Sequence, residues 1–149
     1  MRFTLAAVLM LVGVGVQAQT VGPVVAELGK KAEGFLQVTN NQIYSVVVVV
    51  SALSGTEGKD GKTSVHELDS TTHLKLARNT VKLAPKEVYN IPYSFTCDTR
   101  PCIVAFNTGF ILNKVDNGVA VKAQITTFAV SCDKADGCRK EVRHKAGVE

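Results

Sequence analysis

His66, Asp69 and His73 place two imidazoles and a carboxylate within eight residues, and His144 follows near the end of the chain. Imidazole binds zinc or copper, but two such groups on one loop do not fix a coordination geometry. They read as solvated loop residues, and no metal is expected. Gly55-Thr56-Glu57-Gly58-Lys59-Asp60-Gly61-Lys62-Thr63 imitates a phosphate-binding loop, whose backbone N–H groups cradle phosphates while Lys and Thr reach phosphate and magnesium. That loop needs four residues between its glycines, whereas Gly55 and Gly61 enclose five. No long amphipathic helix clearly follows, so the segment reads as a polar connection between strands. No serine sits on a nucleophile-elbow turn, and the acidic residues are scattered rather than paired for acid–base work. No catalytic residue, cofactor or enzymatic activity is expected.

The four cysteines form the spacings Cys97-x4-Cys102 and Cys132-x5-Cys138. Tight zinc-knuckle spacing is missing, and an even number of cysteines in an exported chain favours disulfides. A local bridge between Cys97 and Cys102 would staple the turn Asp98-Thr99-Arg100-Pro101, with Cys132 and Cys138 as the second local pair. These two pairs are preferred. A cross-strand pairing of Cys132 or Cys138 with Cys97 or Cys102 stays open.

Export itself is read from the first residues. Arg2 is followed by an almost wholly apolar stretch over residues 5–16, and Val16-Gln17-Ala18 supplies the small residues of a cleavage site. Residues 1–18 are expected to be a removed secretory signal, since the apolar run falls short of the roughly 20 residues that span a bilayer. The mature chain is then expected in the periplasm, or secreted, with no membrane insertion. The 149 residues suit one domain plus this leader. Seventeen Lys+Arg against 13 Asp+Glu give a net charge of +4, too small and too dispersed to argue for nucleic acid.

Strand signals dominate what remains. Residues 35–39 alternate, and Asn40-Asn41 ends them with turn chemistry. Residues 44–53 carry five consecutive valines, which pack well on a pleated surface and mark a central strand apolar on both faces. Residues 55–64 read as a glycine-rich loop. Short strands are expected at 73–76 and 81–83, then a turn at Ala84-Pro85-Lys86 and a strand over 88–95. Pro92 argues that this last strand is an edge or carries a bulge. Residues 102–112 and 119–131 form the final strands, with the turn Asp116-Asn117-Gly118 between them. In the last of these, Phe128 and Val130 break the alternation, which implies a bulge or a second apolar surface. About seven strands with frequent turns describe an antiparallel β-sandwich over residues 19–132, followed by a charged, fraying tail over 133–149.

The order of these segments resembles a known family. Phe35-Leu36-Gln37-Val38-Thr39-Asn40-Asn41, an apolar strand, and Val81-Lys82-Leu83-Ala84-Pro85-Lys86-Glu87-Val88 are similar to the N-terminal domain of periplasmic pilus-assembly chaperones. Cys102-Ile103-Val104-Ala105-Phe106-Asn107 resembles that family's next strand, and residues 119–130 its last one. The resemblance spans residues 24–130. It implies an immunoglobulin-like fold, a protein client, and β-augmentation, in which the last strand lends alternating apolar side chains to an incomplete subunit. The residues carrying this role would be Val119, Val121, Ala123 and Ile125, unless the same four face the domain's own core. The chain departs from the family in two ways. No second sandwich follows, and neither residues 20–25 nor 124–128 hold the basic residue that anchors a subunit's terminal carboxylate there. The sequence therefore supports two functions: a chaperone-like assembly factor, or a structural subunit or accessory of an envelope complex.

Overall fold

The computed structural model describes residues 19–29, 32–112 and 122–133. Ten strands lie among them: β1 (Thr20–Gly22), β2 (Val25–Leu28), β3 (Ala32–Thr39), β4 (Val46–Glu57), β5 (Thr63–His66), β6 (Thr72–Leu76), β7 (Thr80–Leu83), β8 (Val88–Cys97), β9 (Cys102–Leu112) and β10 (Lys122–Ser131). One sheet has the order β1-β3-β8-β6, and the other β2-β10-β9-β4-β5, with β7 also paired to β4. The fold is an all-β, immunoglobulin-like sandwich. All pairings are antiparallel except that of β2 with β10, which is parallel. The valine run lies inside its sheet as expected, flanked by β9 on one side and by β7 and β5 on the other.

Side chains alternate across each strand, and one set from each sheet builds the core. Val46, Val48 and Val50 meet Val104, Phe106 and Phe110 from the same sheet, with Leu36, Val38, Ile91, Tyr93 and Phe95 from the opposite one. Tyr93 packs against Phe106 at 4.7 Å between ring centroids. The ring also lies over Gly34, its direct partner on β3, where a Cβ would stand 2.6 Å from the tyrosine oxygen. A small residue is therefore required under this ring. Burial strips water from the phenol and raises its pKa above the ordinary value of 10.0. The neutral phenol is the form the fold favours. This contribution is fully present below pH 10 and is lost as pH rises through the folded-state pKa. Alkaline unfolding followed by circular dichroism should begin above about pH 10, and Tyr93→Phe should flatten that limb.

Three expectations change. Residues 55–64 are not a loop: β4 runs on to Glu57 and β5 starts at Thr63, paired as Thr56 with Ser64. The tip is closed by Gly58 and Lys62, whose N–H and C=O join at 2.8 Å, and Gly61 takes a φ of 76° that suits glycine. This hairpin extends past the core, so both of its faces are polar and no hydrophobic period marks it. Pro92 lies in β8, between β3 and β6, and not on an edge strand. Its carbonyl accepts from the N–H of Ala77 at 3.0 Å, so its ring nitrogen faces the same side, beyond Leu76 where β6 ends. The bond that a residue with an N–H would return to the Ala77 carbonyl is therefore forgone, and it falls just past the end of β6. Finally, β10 holds a continuous register with β9 from Lys122 to Ser131, without a bulge. Val130 instead joins Ile103 and Cys132 in a second apolar cluster on the outer face.

Candidate functional site: the outer edge of the last strand

The N-terminal segment changes sheets between β1 and β2, and this crossing determines how β10 is covered. β2 pairs with Phe128, Ala129, Val130 and Ser131. The N–H of Phe128 donates to Val24 at 2.8 Å and that of Cys132 to Leu28 at 3.0 Å. Even-numbered residues of β10 therefore direct their backbone groups outward, and odd-numbered ones direct theirs at β9. Before Phe128 the outward groups belong to Lys122, Gln124 and Thr126. Among the described residues no strand pairs with them.

Side chains follow the opposite logic. Ala123 and Ile125 lie across from Phe110 and Thr108 and are half-buried against the core. Both share the face of Val104 and Phe106. An incoming strand beside residues 122–127 would meet three open backbone rungs and a partly filled apolar slot. Val119 and Val121 lie outside the described residues, as does the expected signal over residues 1–18. The sequence reading named inward-facing side chains of this strand and not Gln124 and Thr126, whose backbone groups face the unpaired edge. Only the N-terminal crossing exposes that parity, and Val-Ala-Glu-Leu of β2 is too short to announce a parallel partner.

Other edges are blunted. β1, β2, β5 and β7 are three or four residues long. β6 carries exposed His73 and Lys75 in its five residues. Short length and charge are the usual protections against unwanted pairing. From Ala123 to Thr127, β10 has neither charge nor proline.

The remaining candidates separate. His66 pairs with Asp69 at 3.0 Å and contacts Thr56 at 3.3 Å, whereas His73 turns to Asp98 at 3.8 Å. No three ligating groups converge among the described residues. Cys97 and Cys102 form a disulfide with 6.5 Å between Cα atoms, closing the passage from β8 in one sheet to β9 in the other. Cys132 is buried and not a free thiol, and Cys138 lies outside the described residues. Restricting a loop this short in the unfolded chain contributes about 2 kcal/mol. Cys97→Ser with Cys102→Ser should lower the urea midpoint accordingly.

No family model and no curated protein matches the chain. Solved structures do. The class 5 fimbriae chaperone CfaA superposes with a TM-score of 0.62 at 9% identity, over 77% of this chain and 56% of that one. The fold is PapD-like. A chain of the CsuC–CsuE chaperone–tip adhesion subunit pre-assembly complex, from archaic chaperone-usher Csu pili of Acinetobacter baumannii, gives 0.56 at 11% identity. It is matched over 89% of this chain and 62% of its own. The PapD-like domain of human CEP192 gives 0.50 at 11% identity, over 88% of this chain and 98% of that one. The PapD-like sandwich thus spans little more than half of the chaperone CfaA but nearly the whole of a single-domain module. In it, β10 carries the open edge and β9 pairs with its other side.

Proposed function

We propose that the protein is an exported, non-enzymatic chaperone-like factor that holds an envelope or pilus protein by adding the client's strand to the outer edge of β10. The uncovered backbone of residues 122–127 carries this reading, because main-chain hydrogen bonds supply affinity in β-augmentation and alternating pockets supply register. Val119, Val121, Ala123 and Ile125 are the side chains assigned to that register. The likeness to the fimbrial chaperone CfaA, and to a chaperone–subunit pre-assembly complex, supports a protein client and a periplasmic setting. The signal-like residues 1–18 agree with that compartment.

A second reading is a structural accessory that stays incorporated in an envelope complex, favoured by the near-complete overlap with a one-domain PapD-like module. The two differ in the fate of the partner. Capture from periplasmic extract with wild type and with Gln124→Pro tests both, because proline removes the outward N–H and blocks the edge. A client retained by wild type, lost by the folded variant, and released during assembly supports the chaperone. A partner that never dissociates supports the structural role. Equal capture by both proteins overturns edge pairing.

A further inference from the structure

Cleavage after Val16-Gln17-Ala18 would do more than release a leader, because it makes Gln19 the first residue of the mature chain. A glutamine in that position can close on itself. Its α-nitrogen and its amide carbon Cδ are the two ends of a five-membered ring.

We infer that Gln19 is a modification site, converted to pyroglutamate once residues 1–18 are gone; this rests on reading those residues as a removed signal. The α-amine attacks Cδ, a C–N bond closes the lactam, and the side-chain amide nitrogen leaves as ammonia. Nothing is oxidised or reduced, and no co-reactant is consumed. An α-amine titrates at about 7.7–8.0, so at neutral pH a fraction of it is the unprotonated nucleophile.

The fold leaves Gln19 free to react. It precedes β1, which starts at Thr20, and it is half-buried rather than enclosed. Among the described residues its side-chain amide makes no hydrogen bond that ring closure would break. Strand pairing begins one residue later, with Thr20 opposite Thr39, so the ladder is spared.

The fold also gives the ring something to protect. β1 is the three-residue edge of its sheet and covers β3. Val21, at its centre, is 6% exposed and belongs to the core. Chain ends are where proteolysis concentrates. An exopeptidase that requires a free α-amine would remove Gln19, Thr20 and Val21 in turn. Their loss would take away a core side chain and uncover the eight residues of β3 as an edge, and a long bare edge invites unwanted pairing. The lactam has no such amine. It also removes about one positive charge from the flank where β1 packs against β10, the strand proposed to receive a client.

Mass spectrometry of the mature protein, exported from the full chain, tests the inference. Its intact mass should lie roughly 17 Da, one ammonia, below that of residues 19–149 with an open amine. Fragmentation of the tryptic peptide 19–30 should place this loss on its first residue. Amino-terminal sequencing should be blocked until pyroglutamyl aminopeptidase exposes Thr20. Gln19→Asn keeps the amide but is one methylene too short for the five-membered ring. That variant should start with an open asparagine, be sequenced directly, and elute later than wild type from a cation exchanger. A wild-type chain that starts at Gln19 and still has an open amine after a day at neutral pH overturns the inference and leaves the leader reading intact. A chain that starts at any other residue overturns both.

Discussion

Asn40→Ala should cost about 3 kcal/mol of folding stability, far more than a turn residue ordinarily contributes. Asn40 is fully buried. Its Nδ2 donates to the carbonyls of Tyr44 and Ala84, each at 2.8 Å, and its Oδ1 accepts from the N–H of Gln42 at 3.0 Å. Its backbone N–H reaches Glu87 at 2.9 Å. One amide thus joins the end of β3, the start of β4 and the turn between β7 and β8. That turn is itself tightly held. The Glu87 carboxylate accepts from the Ala84 N–H at 2.6 Å, and Lys86 adopts a left-handed φ of 62° while its ammonium donates to the Asn41 carbonyl.

Alanine would strand two carbonyls and one N–H, and leaving such groups unpaired is worth more than the bonds themselves. Asn40→Asp is the sharper variant. A carboxylate keeps the acceptor but sets a negative charge against two carbonyl oxygens, so its folded-state pKa is raised. Its penalty is therefore largest near neutrality and shrinks as the pH falls and the group protonates. Urea unfolding at pH 7 and pH 4.5 should separate the two substitutions: the deficit of Asn40→Asp narrows at the lower pH and that of Asn40→Ala does not. Equal deficits at both values would show that the loss is steric, not electrostatic.

Asn40 also illustrates what the sequence carries and what it hides. Asn40-Asn41 after an alternating strand announces a turn, because asparagine bonds locally to backbone. The bond to Ala84, 44 residues away, has no local signature. β9 was legible to the residue, Cys102–Leu112, because both of its faces are apolar and a cysteine-bounded turn precedes it. The broken alternation at Phe128 and Val130 was legible as an anomaly but not as a choice. The uninterrupted register with β9 decides for a second apolar surface. Pro92 misled for a related reason: proline reports one missing N–H, not which neighbour would have received it. Residues 55–64 were read as loop because the hairpin they form leaves the core, where hydrophobic period ceases to record strand. As for the proposed site, Ala123 and Ile125 lie on β10, but their side chains face inward. What a client would meet first is the backbone of Gln124 and Thr126, and backbone direction is invisible in residue types.

That direction makes the second large prediction a contrast between neighbours. Gln124→Pro and Ile125→Pro differ by one position in the same exposed strand, yet their outcomes should diverge. The Gln124 N–H points to the open edge, so its removal costs no ladder bond, and the ring's Cδ projects where no strand lies. Ala123, the preceding residue, is already extended, as proline requires of it. The variant should lose less than about 1 kcal/mol, since edge strands tolerate proline with its nitrogen outward. The Ile125 N–H points to β9, opposite Thr108. Proline there removes a buried ladder bond, drives its ring against β9 and deletes an apolar side chain, for a loss of about 3 kcal/mol or more. Chemical denaturation measures both. Client capture should then reverse the ranking of harm: the stable Gln124→Pro loses the partner because its edge is blocked. Were Gln124→Pro as destabilised as Ile125→Pro, the outer edge would already be bonded, and no strand could be received there without displacing what occupies it.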